Sequence, residues 1–316
     1  MSRFSVQDLH VAFGDVEVLR GVSLHVESGE VLGVVGESGC GKSMTGLACM
    51  RLLPHGARVT NGSISLDDSD IVRLTERQMR RVRGGEVAMV FQDPFTSLNP
   101  MMRVGEQIAE AIVLHQGLSK SAATTKAIEQ LDRVRVPSPE STAQKYPHQL
   151  SGGQRQRVMV AIAFSCHPKV LIADEPTTAL DVTLQAQILA LLKELQQNEG
   201  TAVILISHDI GVIGSVADRI AVFYAGRVVE TGSASEVLRD PKHPYTQGLL
   251  ASMPSAKSRL YSIPGQPPEF RELRGACSFA ARCPHQFEKC ETEPSLIQVG
   301  TRACACWLGE KEVSRV

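Results

Sequence analysis

This 316-residue chain predicts an α/β fold, on three observations. Short apolar runs at Val31–Val35 and at residues 87–91, 169–173 and 201–206 alternate with helix-length stretches, the pattern of a buried sheet flanked by helices. The segment Gly36-Glu37-Ser38-Gly39-Cys40-Gly41-Lys42-Ser43 fits G-x-x-x-x-G-K-[ST], a loop that wraps phosphates in backbone N–H groups. Five cysteines, Cys277, Cys283, Cys290, Cys304 and Cys306, crowd the C-terminal end. The expectation is an α/β core with a phosphate loop, antiparallel strands around its N-terminal part, a helical insert, and a small cysteine-rich extension.

Bulk properties narrow the function classes. A hydrophobic content of 43% is ample for a buried core. A formal net charge of −1 gives no field pointing to nucleic acid or a membrane surface. Aromatics at 4% speak against base-stacking platforms. Residues 1–14 mix charges with apolar residues and lack the apolar region of a signal peptide. No apolar run approaches the length of a bilayer crossing. The protein is expected to be soluble and cytoplasmic, with any membrane association made through a partner.

In chain order, residues 4–13 and 16–26 alternate polar and apolar side chains as half-buried strands do. Phe13 is placed to stack on an adenine, or else belongs to the sheet core. Val31–Val35 reads as a strand and residues 43–53 as a helix, so the glycine-rich loop sits at a positive helix N-terminus. Its glycines let the backbone close on an anion. Lys42 would reach the β/γ-phosphates and the Ser43 hydroxyl would hold Mg²⁺. Given Gly near 7% of residues, such a motif arises by accident in roughly one chain of this length in a hundred.

Residues 61–66 read as a strand and 75–82 as a helix whose Arg77, Arg80, Arg81 and Arg83 form a solvated face. The strand 87–91 delivers Gln92-Asp93-Pro94 to a carboxyl end, where ligands bind in open α/β sheets. Residues 97–146 are helical in pattern, broken at Pro100 and at Pro137 to Pro139, within an insert of about residues 95–160. Leu150-Ser151-Gly152-Gly153-Gln154 opens a helix over 155–165 and makes a second helix-start anion site. The strand 169–173 delivers Asp174 and Glu175. One carboxylate suits Mg²⁺ and the other suits proton abstraction from water beside a γ-phosphate. A long helix over 183–198 follows, then a strand over 201–206 ending in Ser207-His208-Asp209. Strands 220–224 and 228–231 form a hairpin around Ala225-Gly226-Arg227. A helix over 235–239 ends the core near Asp240.

Together these motifs resemble the ABC-type ATPases over roughly residues 4–250. The phosphate loop is 36–43, the signature 150–154, the acidic pair Asp174-Glu175, the D-loop 178–181, the Q-loop glutamine Gln92 and the switch histidine His208. All stand in the family's order. The resemblance implies a P-loop (RecA-like) nucleotide-binding core with an antiparallel β subdomain and a helical signature subdomain. In that family two nucleotide domains pair head to tail, each ATP lying between one subunit's phosphate loop and the other's signature. Phe13 then stacks the adenine. Gly36, Ser38, Gly39, Cys40, Gly41, Lys42, Ser43 and Met44 make the phosphate site. Ser43, Gln92 and Asp174 serve Mg²⁺. Glu175 activates water, with His208 on the γ-phosphate and Gln92 as the third catalytic group. Ser151, Gly153 and Gln154 serve the partner's ATP. Cys40 departs from the serine or alanine common there, which is expected to cost little but to make the loop thiol-sensitive. Nothing catalytic is missing, so a hydrolytically competent half-site is expected.

The segments Pro241-Lys242-His243-Pro244-Tyr245-Thr246 and Asp93-Pro94-Phe95-Thr96-Ser97-Leu98-Asn99-Pro100 look like those of oligopeptide/dipeptide importer ATPases. A proline-rich linker over 254–268 leads to Cys277-x5-Cys283-x6-Cys290 and Ala305-Cys306-Trp307, similar to a family tail that can bind a [4Fe–4S] cluster. The spacing lacks the close pairs of common zinc sites. The expected ligands are Cys277, Cys283, Cys290 and Cys306, the last chosen over Cys304 from its Ala-Cys-Trp context. Zinc and no metal are the alternatives. The implied division is an ATP-binding domain over 1–250 and an extension over 251–316. The implied protein is the ATP-hydrolysing, energy-coupling subunit of a di-/oligopeptide importer. It would be peripheral on the cytoplasmic face of the inner membrane. Its partners would be a second, unlike ABC ATPase subunit, two transmembrane permeases and an extracytoplasmic solute-binding protein, without nucleic acid. One alternative keeps the machine and changes the cargo to nickel, glutathione or oligosaccharide. A remoter one is a non-transport ABC ATPase in DNA repair or translation, whose long coiled coils, tandem units and basic patches are missing.

Overall fold

The chain was analysed as a computed structural model, which describes residues 3–67, 69–178, 180–253, 262–273 and 275–309. Ala179 of the D-loop and residues 254–261 of the proline-rich linker lie outside them. Strands β1 (Arg3–Phe13) and β2 (Val16–Glu27) show the expected alternation, and β3 (Val31–Val35) is buried at every position. Helix α1 (Lys42–Cys49) stops at Cys49 rather than residue 53, because Arg51 turns left-handed (φ 50°) and Pro54 restricts the residue before it. Strand β4 (Ala57–Leu66) starts earlier than expected and is followed by β5 (Ser69–Asp70). Helix α2 (Glu76–Val82) begins with a capping box between Thr75 and Gln78. Strand β6 (Val87–Val90) leads to α3 (Pro94–Ser97) and the insert helices α4 (Val104–Gln116), α5 (Lys120–Arg133) and α6 (Pro139–Ala143).

A further break in the insert comes at Gly117, whose left-handed conformation (φ 67°) closes α4. Helix α7 (Gly152–Phe164), strand β7 (Val170–Asp174), helix α8 (Val182–Glu199) and strand β8 (Ala202–Ser207) follow as expected. Then come α9 (Ile210–Val216), β9 (Arg219–Tyr224), β10 (Arg227–Ser233), α10 (Ala234–Arg239), α11 (Pro244–Ala251), β11 (Ile297–Val299) and β12 (Arg302–Cys304). The pattern did not reveal α9, α11, β11 or β12. Among the described residues no helix is long and apolar enough to cross a membrane.

The residues form two compact units. One comprises the residues up to Phe4, Val26–Glu30 and Arg73–Ile204. In it β6 and β7 pair in parallel, Val87 opposite Val170. The insert's core is Ile108 and Ile112 of α4 against Ala123, Ala127 and Leu131 of α5, all fully buried.

The other unit comprises Ser5–His25, Val31–Val72 and the residues from Leu205 on. It holds the sheet β2-β1-β4-β5 and a run of strands in which β3 lies parallel to β9. β10 pairs antiparallel with β9 across Ala225 (φ 45°) and Gly226 (φ 80°), the left-handed pair that a tight hairpin turn requires. β12 adds to the other edge of β10, Cys304 opposite Glu230, and β11 pairs with β12. The extension thus enters this unit by sheet pairing.

Gly62 is left-handed (φ 97°), and an added Cβ would strike the Asp8 carbonyl of β1. Gly62→Ala is expected to lower stability in urea melts by about 1–3 kcal/mol, as forced overpacking does. Gly14→Ala, at a hairpin tip with open space around it, should cost clearly less.

Candidate nucleotide site

The phosphate loop runs from the end of β3 to the start of α1. Gly41 precedes α1 in a conformation (φ 106°) that L side chains rarely adopt, and an added Cβ would lie 2.7 Å from Leu19. At Gly36 an added Cβ would collide with the Phe223 carbonyl. Among the described residues no side chain caps α1. Its partial positive charge is therefore available to an anion. Ser38 and Gly39 are exposed at the loop tip, and Ser43 and Met44 are half-buried in the first turn of α1. The buried Lys42 ammonium donates to the carbonyls of Gly36 (2.7 Å) and Glu37 (3.0 Å), so it braces the loop from within.

Cys40 corrects one expectation. Its side chain is buried, and burial pushes its thiol pKa up despite Lys42 nearby. Burial of the thiol works against the sensitivity expected of the loop, since structural buried cysteines react poorly.

The Pro241-to-Thr246 element supports the same loop. Buried Glu230 accepts the amides of Lys242 (2.7 Å) and His243 (3.0 Å), and burial raises its carboxyl pKa. Burial lowers His243 to about 4, which keeps the ring neutral as the Nδ1 acceptor for the Tyr245 amide at 3.0 Å. With Pro244 at the first position, α11 then starts so that the Tyr245 hydroxyl accepts the Glu37 amide at 2.8 Å.

In the other unit the acidic pair and the signature are formed locally. Asp174, 5% exposed, ends β7. Glu175 follows in a left-handed conformation (φ 45°), uncommon for a non-glycine residue and typical of functional turns. Its carboxylate accepts from the Gln92 amide (3.0 Å) and the Thr178 hydroxyl (2.9 Å). Gln92, expected on Mg²⁺, here serves Glu175. Ser151 caps α7 in a reciprocal box with Gln154: its hydroxyl accepts the Gln154 amide (3.3 Å) while its own amide donates to the Gln154 side chain (3.0 Å). Gly153 also has a packing reason, since an added Cβ would lie 3.3 Å from Leu184 of α8. His208 is exposed just after β8, ahead of Asp209, which caps α9. Phe13 is 48% exposed, which rules out the sheet-core alternative.

Cys277, Cys283, Cys290 and Cys306 line one small cavity, whereas Cys304 is fully buried in β12 and is not among the lining residues. Burial, with the neighbouring thiols adding, pushes Cys277 up to about 11 and raises Cys283 and Cys306. Among the described residues no group of three or more His, Cys, Asp or Glu side chains is arranged to hold a metal ion.

Comparison with known proteins names this assembly of motifs. The family model described as ABC transporter matches residues 19–178, and that of the oligopeptide/dipeptide transporter C-terminal region matches 229–290. The dipeptide transport ATP-binding protein DppD of Bacillus subtilis is 46% identical over 97% of this chain and 95% of its own length. The chain belongs to the ABC transporter family. The oligopeptide transport ATP-binding protein OppD of Bacillus subtilis is 47% identical over 98% of this chain and 90% of its own length. The dimeric ATP-binding cassette MJ0796, solved in a post-hydrolysis state bound to ADP and Pi, is 27% identical with a TM-score of 0.65. It covers 73% of this chain and 98% of its own. The fold is that of an ABC ATPase cassette.

Two supports of this ABC phosphate loop escaped the sequence reading. Tyr245 lay inside a recognised motif, but nothing in the motif says where its hydroxyl points. Arg282, bound to Glu37, gives no local signal at all, because the two lie 245 residues apart. Tyr245→Phe keeps the ring between Tyr224 and Phe279 but strips the partner from the Glu37 amide. It is expected to cost about 1–3 kcal/mol, the penalty of an orphaned amide, read by urea denaturation.

Proposed function

We propose that this chain is the ATP-hydrolysing, energy-coupling subunit of an importer for di- and oligopeptides. ABC transporter ATP-binding proteins are ATPases coupled to transport, and this chain is one of them. The observation that carries the peptide reading is the pairing, in one chain, of the ABC cassette with the oligopeptide/dipeptide transporter C-terminal region. Relatives named for dipeptide and oligopeptide transport support it.

The proposed roles follow the chemistry of each group. Phe13 offers an exposed ring to the adenine. The loop amides from Gly36 to Met44, with Lys42, take the phosphates, for which Lys42 leaves the loop carbonyls. Ser43, Asp174 and the Gln92 side-chain oxygen are oxygen donors suited to Mg²⁺, which neutralises phosphate charge when bound. Glu175 takes the proton from the attacking water, and His208 contacts the γ-phosphate. Ser151, Gly153 and Gln154 present an α7 helix start to the ATP of a second, unlike ATPase subunit. Pairing of such cassettes is supported by the dimeric solved relative.

The machine is completed by two transmembrane permeases and an extracytoplasmic solute-binding protein, which places this subunit on the cytoplasmic membrane face. The insert and the Gln92 loop are the proposed permease contact. A cavity of about 1000 Å³ lined by Asn99, Met102, Gln107 and Leu114, with Met101 and Leu114 strongly exposed, supports that assignment. The ATP-binding domain is read as 1–250 and the extension as 251–316.

For the extension we propose a [4Fe–4S] cluster held by Cys277, Cys283, Cys290 and Cys306. Four thiols facing one cavity are the right donor set in kind. As it stands the cavity measures about 10 Å³, so loading requires the cysteine-bearing loops to part.

Glu175→Gln is expected to keep Mg-ATP binding while lowering ATP turnover by roughly 10²–10⁴, the share of a general base. Turnover near that of the parent would reject Glu175 as the base. For the extension, iron and acid-labile sulfide are expected in about equal, cluster-stoichiometric amounts in anaerobically purified protein, and Cys306→Ser is expected to lose them where Cys304→Ser does not. For the cargo, reconstitution with neighbouring permeases should give ATPase activity stimulated by peptide-loaded binding protein.

A further inference from the structure

The phosphate loop carries a carboxylate at its second position, beside a site built for a polyanion. Left alone, Glu37 would repel the phosphates that the loop amides attract. The Glu37 carboxylate is instead held by Arg282 of the extension in a two-point fork, one guanidinium nitrogen 2.7 Å from one oxygen and the other 2.9 Å from its neighbour. The Arg282 side chain is only 5% exposed, and that of Glu37 28%.

Arg282 is itself immobilised. Its Nε donates to the Pro264 carbonyl (2.9 Å), it reaches the Tyr224 hydroxyl (3.2 Å), and its charge lies over the Tyr224 and Phe279 rings at 5.9 Å. A rigid, saturated guanidinium of this kind sets the position of whatever it binds. What it binds is the residue whose amide meets Tyr245 and whose carbonyl receives the Lys42 ammonium.

We propose that Arg282 is a positioning residue for nucleotide binding: it clamps and neutralises Glu37, so the extension forms part of the support of the phosphate loop. The proposal rests on the reading that residues 36–43 take the ATP phosphates. It makes Arg282 useful in two ways, by geometry and by charge, and the charge part has a sign that a packing role lacks. Removing Arg282 uncovers a carboxylate beside the phosphates, and removing the carboxylate as well relieves it.

The test uses the full-length protein and trinitrophenyl-ATP with Mg²⁺, titrated by fluorescence, with a melting curve for every variant. Arg282→Met is expected to weaken nucleotide binding about ten- to a hundredfold, the cost of a displaced positioning group. The double variant Glu37→Gln/Arg282→Met is expected to recover most of that loss. Arg282→Lys should restore binding only in part, since an ammonium keeps the charge and loses the fork. Glu293→Gln breaks a separate anchor of the extension, where Arg20 and Arg227 bind Glu293. It should lower the melting temperature and leave nucleotide affinity in place.

Parent-like binding by Arg282→Met, no recovery in the double variant, or equal weakening by Glu293→Gln would each overturn the proposal. Lys42→Ala separates its failure from that of the site: loss of binding there with Arg282→Met unaffected sinks the clamp alone. Binding that survives Lys42→Ala sinks the phosphate-loop reading itself. Should Arg282→Met melt too low to titrate, the double variant and Arg282→Lys carry the comparison.

Discussion

A loop that binds phosphate with bare amides has to keep its shape without side chains of its own in the way. That constraint organises the unit around it. Glycine gives the backbone access to an anion but raises the entropy lost on ordering, by roughly 0.5–1 kcal/mol per residue relative to alanine. Rigidity must therefore come from outside the loop. Here the Phe223 carbonyl of β9 backs Gly36, Leu19 of β2 lies behind Gly41, and the Tyr245 hydroxyl of α11 holds the Glu37 amide. Lys42 ties two loop carbonyls together from within. These supports are far apart in sequence, which is why a motif of eight residues needs a much larger unit to work.

What could be read in advance follows from how local each signal is. β3 and the first four residues of β7 are unbroken apolar runs, and both strands are buried along their whole length. The helix starts at Ser151 and Thr75 were legible, and each is closed by a capping box to the glutamine three residues on. The end of α1 was misplaced because residues 50–53 remain apolar enough to extend a helix while the backbone turns at Arg51. α9 was missed because Gly211 and Gly214 depress its propensity. β11 and β12 span three residues each, too few for any period to show. The link from Arg282 to Glu37, like the left-handed turn at Glu175, is tertiary and leaves no trace in spacing.

The cysteines show the same boundary. Crowding marks them as a group, but membership depends on where a strand stops. Cys304 is the last residue of β12 and sits opposite Glu230 and Ile297 in the sheet. Had the strand continued, Cys306 would share its face, since strand side chains repeat every two residues. The strand ends, Ala305 bonds back to the Val229 carbonyl (2.8 Å), and Cys306 joins the cavity with the other three.

The acidic pair is held by contacts from two parts of the chain. A left-handed backbone at Glu175 is strained by about 1–3 kcal/mol and persists only where its surroundings hold it. Gln92 and Thr178 hold the carboxylate by donating to it. Each donor thereby helps to keep a turn that the backbone alone would not hold. The two donors differ in origin: Thr178 is three residues on in the same loop, whereas Gln92 comes from 83 residues earlier in the chain. It lies on the segment between β6 and α3, at the entrance to the helical insert. A displacement of the insert that drew Gln92 away would therefore remove one of the two donors that hold the Glu175 carboxylate. The position of the Glu175 carboxylate is thus tied to the entrance of the insert through the Gln92 amide.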